Sequence, residues 1–294
     1  MGRTGSLWIF LVLVAAETSA QVSQYRNPQL LIETQELAGL LSNPDVRLLD
    51  VRPREEYGLG HIPGAVNLPA PATDDLEANR QGFPLPASWA QRLFRMAGIS
   101  ARSRVILYDD RGDRLAARVF YVLEFFGHSR LQVLNGGFKK WQSEGRPISS
   151  AAPSVAPGNF TPAPHPALIA TSQWISAHLK DPGVKLVDAR SAVEFRGEEV
   201  SGPRGGHIPG AVNIEWTRVI APGEVPAFRD AATLEKLFAE VGVNRSQEVV
   251  TYCQRGVRAA EIYFALRLLG YERVRIYDAS WQDWGANAEL PVER

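Results

Sequence analysis

Gly60-His61-Ile62-Pro63-Gly64-Ala65-Val66-Asn67 returns without a change as Gly206-His207-Ile208-Pro209-Gly210-Ala211-Val212-Asn213. Eight identical residues in a row, once in each half of the chain, do not arise from composition alone. Upstream, Leu48-Leu49-Asp50-Val51-Arg52 is answered by Leu186-Val187-Asp188-Ala189-Arg190. Downstream, Val105 to Gly127 lines up with Val249 to Gly270 once a single residue is gapped, and Trp141 lines up with Trp284. The chain is a tandem duplication. Each octapeptide reads as a turn feeding a strand, so His61 and His207 take structural roles and no metal site is expected from them.

Within each half, short apolar runs alternate with helical patterns. Val46 to Val51, Lys185 to Ala189, Arg104 to Tyr108 and Glu248 to Tyr252 read as buried strands. Ala259 to Leu269 carries Ile262, Ala265, Leu266 and Leu269 at helical spacing, with Gly270 placed to end the helix. The fold class is therefore α/β: two tandem domains, each a parallel sheet flanked by helices. The boundaries follow from the repeat, with domains at 28–148 and 168–294. Between them, 149–167 holds Pro153, Pro157, Pro162, Pro164 and Pro166, which favours an extended, semi-rigid linker. A ligand cleft is expected where two such domains meet.

The 294 residues contain 32 basic and 32 acidic side chains, so no global field recruits nucleic acid or an anionic membrane. Any preference for anions must be local. At the start, Arg3 precedes the apolar run Leu7 to Ala16, and Thr18-Ser19-Ala20 offers small residues for a signal peptidase. Residues 1–20 read as a cleaved export signal, too short in its apolar part to span a bilayer, and the mature protein is expected to be periplasmic or secreted, without stable membrane insertion.

Cys253 is the single cysteine, which excludes an intramolecular disulfide and a multi-thiolate zinc site. A lone thiol in an exported protein is either a small buried hydrophobe or a working nucleophile. Its surroundings favour the second. Cys253 directly follows the apolar run Val249-Val250-Thr251-Tyr252 and precedes a helix, so it sits at the C-terminal end of a strand, where open α/β sheets bind ligands. The loop Cys253-Gln254-Arg255-Gly256-Val257-Arg258 can curl its N–H groups around the sulfur, and the helix N-terminus adds positive potential. Arg255 and Arg258 add fixed charge and donors for an anion, and Gly256 relaxes the backbone at the turn.

The tandem halves, the Asp-x-Arg strand ends, the repeated octapeptide and the strand-Cys-loop-helix unit together resemble the two-domain rhodaneses, over nearly the whole mature chain. The resemblance implies a catalytically silent first domain and a second domain whose cysteine shuttles sulfane sulfur. The halves match that asymmetry, because Asp109 stands opposite Cys253 and Gly112 opposite Gly256. It also implies thiosulfate sulfurtransferase activity: a small anionic donor gives its outer sulfur to Cys253, and the persulfide passes it to cyanide or a thiol, a protein thiol included. The substrate-binding loop would be Gln254, Arg255, Gly256, Val257 and Arg258. No cofactor and no metal are implied.

Two departures qualify the match. Mercaptopyruvate users in the family carry small uncharged residues after the cysteine, unlike Gln254-Arg255, yet Arg258 stands where a hydroxyl residue is common in both branches. Near Glu194 some members place a substrate-binding arginine, which an acid cannot replace. Asp188, Arg190 and Glu194 are accordingly read as a supporting ion-pair network. A 3-mercaptopyruvate sulfurtransferase and a noncatalytic persulfide carrier stay open as alternatives. A cysteine phosphatase is disfavoured, because its loop would place the arginine where Ala259 stands, one residue beyond Arg258.

Overall fold

Each half builds its own five-stranded, all-parallel sheet. In the first, β1 (Leu31–Ile32), β2 (Val46–Asp50), β3 (Val66–Asn67), β4 (Arg104–Tyr108) and β5 (Leu131–Leu134) lie in the order β1-β5-β4-β2-β3. In the second, β6 (Ile169–Ala170), β7 (Val184–Asp188), β8 (Val212–Asn213), β9 (Glu248–Tyr252) and β10 (Val274–Tyr277) repeat it as β6-β10-β9-β7-β8. This computed structural model describes residues 25–294; the stretch read as an export signal lies outside the described residues. The α/β architecture with two tandem domains is the one the repeat implies. Among the described residues, no helix is long and apolar enough to cross a membrane.

The strands form where apolar runs are covered on both faces by helices, which is why they read as continuous rather than alternating. Val105 to Tyr108 and Val249 to Tyr252 are fully buried. The registers then decide where the chemistry falls. Asp188 pairs with Tyr252 across β7 and β9, so the Asp-x-Arg strand end and the cysteine loop emerge side by side.

The halves are joined through two helices, Arg114–Phe125 and Val257–Leu268, which pack against each other. Phe120 meets Phe264 edge-on at 4.9 Å and Tyr121 meets Tyr263 at 5.3 Å. Each such side chain contributes about 1.5–3 kcal/mol relative to leaving it in water. One apolar cluster runs unbroken from Leu49 and Val105 in the first sheet to Val249 and Ile276 in the second. The periodicity of the second helix marks a single buried stripe. In the structure Tyr263, Phe264 and Leu268 are buried as well, because the partner helix covers the other face. Gly270, at φ +80°, follows the helix end.

The proline-rich stretch 149–167 lies along the first domain. Ser149 exchanges backbone hydrogen bonds with His61, Gly158 donates to the Arg95 carbonyl, and Phe160 is buried edge-on to Phe94 at 5.4 Å. Each octapeptide histidine is also structural. The His61 ring stacks on Tyr57 and His207 on Phe195, each with Nδ1 on the backbone carbonyl of that aromatic residue.

Candidate active site

β9 delivers Cys253 into the loop buried, with 1% of its surface exposed. One hydroxyl closes the loop at both ends. Ser280 Oγ accepts from the N–H of Cys253 and of Gly256, both at 3.1 Å, and donates to the Tyr277 carbonyl at 2.7 Å. Ser280 holds φ +55°, an uncommon conformation for a residue with a Cβ, so the surrounding contacts fix it there. Gly256 turns the chain at φ +81°, and any Cβ at this position would overlap Asp278 Oδ1. Half-buried Val257 then opens the helix, whose first N–H groups face the loop. Gln254 leans outward, donating through Nε2 to the Ser201 carbonyl at 2.7 Å, while its buried Oε1 has no partner among the described residues.

The two loop arginines differ. Arg258 forms a fork with Glu194, at 2.7 Å to Oε2 and 2.9 Å to Oε1. Glu194 is in turn fixed by a capping box in which its carboxylate accepts from the Ser191 N–H and hydroxyl. Burial works against both charges. Against it, hydrogen bonds from Arg258 and Ser191 and the nearby guanidinium hold the Glu194 carboxyl down at about 2. Burial likewise opposes the Arg258 charge, but the bond to Glu194 and the electrostatic influence of Cys253 and Glu194 prevail, so its pKa is raised. Arg255 is more than half exposed and among the described residues makes one polar contact, 3.2 Å from Asp74 Oδ2 of the first domain.

The supporting trio predicted from the sequence resolves into two units. Asp188 and Arg190 are buried and paired at 2.6 Å, and Arg190 also donates to the Gly206 carbonyl, tying the strand end to the octapeptide. Glu194 serves the loop arginine instead. Among the described residues, no cluster of three or more His, Cys, Asp or Glu side chains is placed to hold a metal ion.

In the first domain, the loop after β4 is closed by its own side chain. Asp109 is buried, and its carboxylate accepts the N–H groups of Arg111, Asp113, Leu115 and Ala116 at 2.6 to 3.1 Å. The loop of this fold thus gathers four N–H groups on one acceptor, although burial still raises the Asp109 pKa above its ordinary 3.8. Its gapped residue lies here: the helix starts at Arg114, with both Gly112 and Asp113 left-handed, whereas the second loop needs only Gly256.

Each domain also covers the loop of the other. The stretch 214–230 places Ile220 and Pro226 against Gly112, and Val225 against Gly136. The stretch 68–85 brings Thr73, Asp74 and Asn79 to the second loop, where Asn79 donates to Asp278 at 3.0 Å. Arg118, on the first domain's interface helix, is fully buried and ion-paired to Asp278. It also donates to the Thr73 carbonyl at 3.1 Å and approaches Asp74 at 3.4 Å. Sequence reasoning missed Asp74, Asn79, Arg118, Asp278 and Ser280. A signal existed for the last two: continuing the alignment of Trp141 with Trp284 sets Asp278-Ala279-Ser280 against Asn135-Gly136-Gly137.

Comparison with known proteins agrees with this geometry. The rhodanese-like domain matches twice, at residues 33–144 and 171–287. The thiosulfate sulfurtransferase of Azotobacter vinelandii is 35% identical over 264 residues, covering 90% of this chain and 97% of that protein. The sulfur carrier protein TtuD of Thermus thermophilus is 33% identical, covering 92% of this chain and 98% of that protein. The crystal structure of a 3-mercaptopyruvate sulfurtransferase from Escherichia coli superimposes with a TM-score of 0.76 at 28% identity, covering 86% of this chain and 98% of that one. With the domain found in both halves and the cysteine loop in the second, the chain is a tandem sulfurtransferase of the rhodanese-like family.

Proposed function

We propose that the protein moves sulfane sulfur from thiosulfate to a thiophilic acceptor through a persulfide on Cys253. The observation that carries this reading is Arg255, which stands more than half exposed on the Cys253 loop with donors suited to a sulfonate. The relative from Azotobacter vinelandii, named for thiosulfate, supports it.

The Cys253 thiolate attacks the outer sulfur of thiosulfate, an S–S bond forms on the enzyme, and the S–S bond of the donor breaks to release sulfite. Cyanide or a thiolate then attacks the outer sulfur of the persulfide and the thiolate of Cys253 is regenerated. No net electron leaves the pair of substrates. Loop N–H groups and the helix N-terminus stabilise the charge on the persulfide, as four N–H groups do for the Asp109 carboxylate. Arg255 meets the sulfonate. Arg258, fixed by Glu194, contributes field rather than a free hand. A protein thiol is a second class of acceptor, in keeping with the name of the Thermus thermophilus relative.

Intact mass spectrometry before and after thiosulfate tests the reading, with Cys253→Ser in parallel. A gain of about 32 Da that cyanide removes, absent from the variant, is expected. Loading from 3-mercaptopyruvate but not thiosulfate transfers the assignment to that donor. Loading only from a partner protein establishes a carrier.

A further inference from the structure

Both loop arginines are paired with an acid, but the pairs are not equivalent. Arg258 is two-thirds or more shielded, holds Glu194 with two bonds, and has no slack. Arg255 is exposed and touches a single oxygen of Asp74. A pair of this kind exchanges readily, because solvent screens it and one long side chain is free to leave. Asp74 is not free. Its other oxygen faces Arg118, which is wholly buried and anchored by Asp278 and the Thr73 carbonyl. Charges therefore alternate without a break from the floor of the cysteine loop through the first domain to the loop's rim: Asp278, Arg118, Asp74, Arg255.

The duplication supplies an internal comparison. At the first loop, the residues of the other domain that meet its glycines are apolar: Ile220 and Pro226 at Gly112, and Val225 at Gly136. Arg118 itself has Glu261 as its counterpart on the second interface helix. An acid on the covering stretch, backed by a buried arginine, is found over the cysteine loop, whereas Ile220 takes that place in the repeat, against Gly112 of the first loop. A purely structural cover has no need of that charge.

We propose that Asp74 of the first domain is a built-in competitor for Arg255, which the anionic donor must displace on binding and which returns to expel the anionic product. This rests on the reading of Arg255 as the sulfonate contact. The silent domain thereby sets the affinity of the other domain's site for anions, through a residue that takes no part in the sulfur transfer. Asp74→Asn keeps the shape and the Arg118 contact while removing the charge.

The test is steady-state kinetics with thiosulfate and cyanide, alongside product inhibition by sulfite. D74N lowers the thiosulfate KM and the sulfite inhibition constant, each by about three- to tenfold, with kcat unchanged or reduced. In an Arg255→Gln background the same substitution has no effect on either. A second arm measures sulfite binding calorimetrically to Cys253→Ser protein with and without D74N, where tighter binding is expected. An unchanged or raised KM with unchanged sulfite affinity overturns the proposal, as does an equal change in the Arg255→Gln background. Wild-type protein that takes no sulfur from thiosulfate sinks the donor reading instead, and the calorimetric arm then decides the role of Asp74 by itself.

Discussion

Arg258 and Glu194 stand 64 residues apart in the chain and meet through two parallel hydrogen bonds beside Cys253. The bond matches the planar guanidinium to both carboxylate oxygens, which a lysine at 258 would not reproduce. It converts a flexible side chain into a fixed charge.

Glu194→Gln should therefore cost about 1–3 kcal/mol of stability at neutral pH, since it leaves Arg258 largely buried without its counter-charge. The sign with pH follows from the carboxyl. Its value falls from the ordinary 4.5 to about 2 on folding, so the stabilisation is whole above pH 4.5 and is lost as pH drops toward 2. Denaturant unfolding of both proteins across that range checks this. A gap between them that does not narrow in acid would count against the pair.

Ser280→Ala removes the acceptor shared by the Cys253 and Gly256 N–H groups, and both lie buried. The expected cost is about 1–3 kcal/mol in stability. Sulfur loading of Cys253 should slow by at least about tenfold, because the loop loses its clamp and the geometry around the sulfur loosens. Rapid-quench loading followed by mass measurement reads the rate. Ser280→Thr, which keeps the hydroxyl, should recover part of it. Loading at the wild-type rate in the alanine variant would mean that the loop holds its shape without the hydroxyl.

Glu261 gives a prediction at the opposite end of the pH scale. It is fully buried on the Val257–Leu268 helix, neither carboxylate oxygen has a hydrogen-bond partner among the described residues, and burial pushes its pKa well above 4.5. Asp109 and Asp113 add to the shift and Arg114 opposes it. A raised carboxyl contributes stability that is complete below pH 4.5 and disappears as pH climbs through the folded value. Glu261→Gln should match the wild type near pH 4 and become the more stable of the two in alkali. Melting curves at a series of pH values decide it, and parallel curves would contradict a neutral Glu261.

The repeated octapeptide and the Asp-x-Arg ends made the duplication and both central strand pairs legible, because buried parallel strands leave continuous apolar runs and the copies check each other. The cysteine loop was legible for a similar reason: a nucleophile, two arginines and a glycine lie within six residues. What pairs with those arginines was not. Glu194 was read with Asp188 and Arg190, its neighbours in sequence, although the fold turns it toward Arg258. Asp74 lies in 68–85, a stretch whose role is defined only by the domain it reaches across to. The Val257–Leu268 helix defeated periodicity in another way, since a helix covered on two sides has no polar stripe to reveal its orientation.

The unbroken apolar cluster between the two interface helices bears on how the protein is made. The first domain leaves the ribosome before the second-domain rings that pack on Phe120 and Tyr121 exist. Until Tyr263 and Phe264 have been synthesised, that face is open to chaperones or to a neighbouring nascent chain. Slow translation between the halves should lower the yield of soluble protein, even though every catalytic residue on the cysteine loop lies in the second.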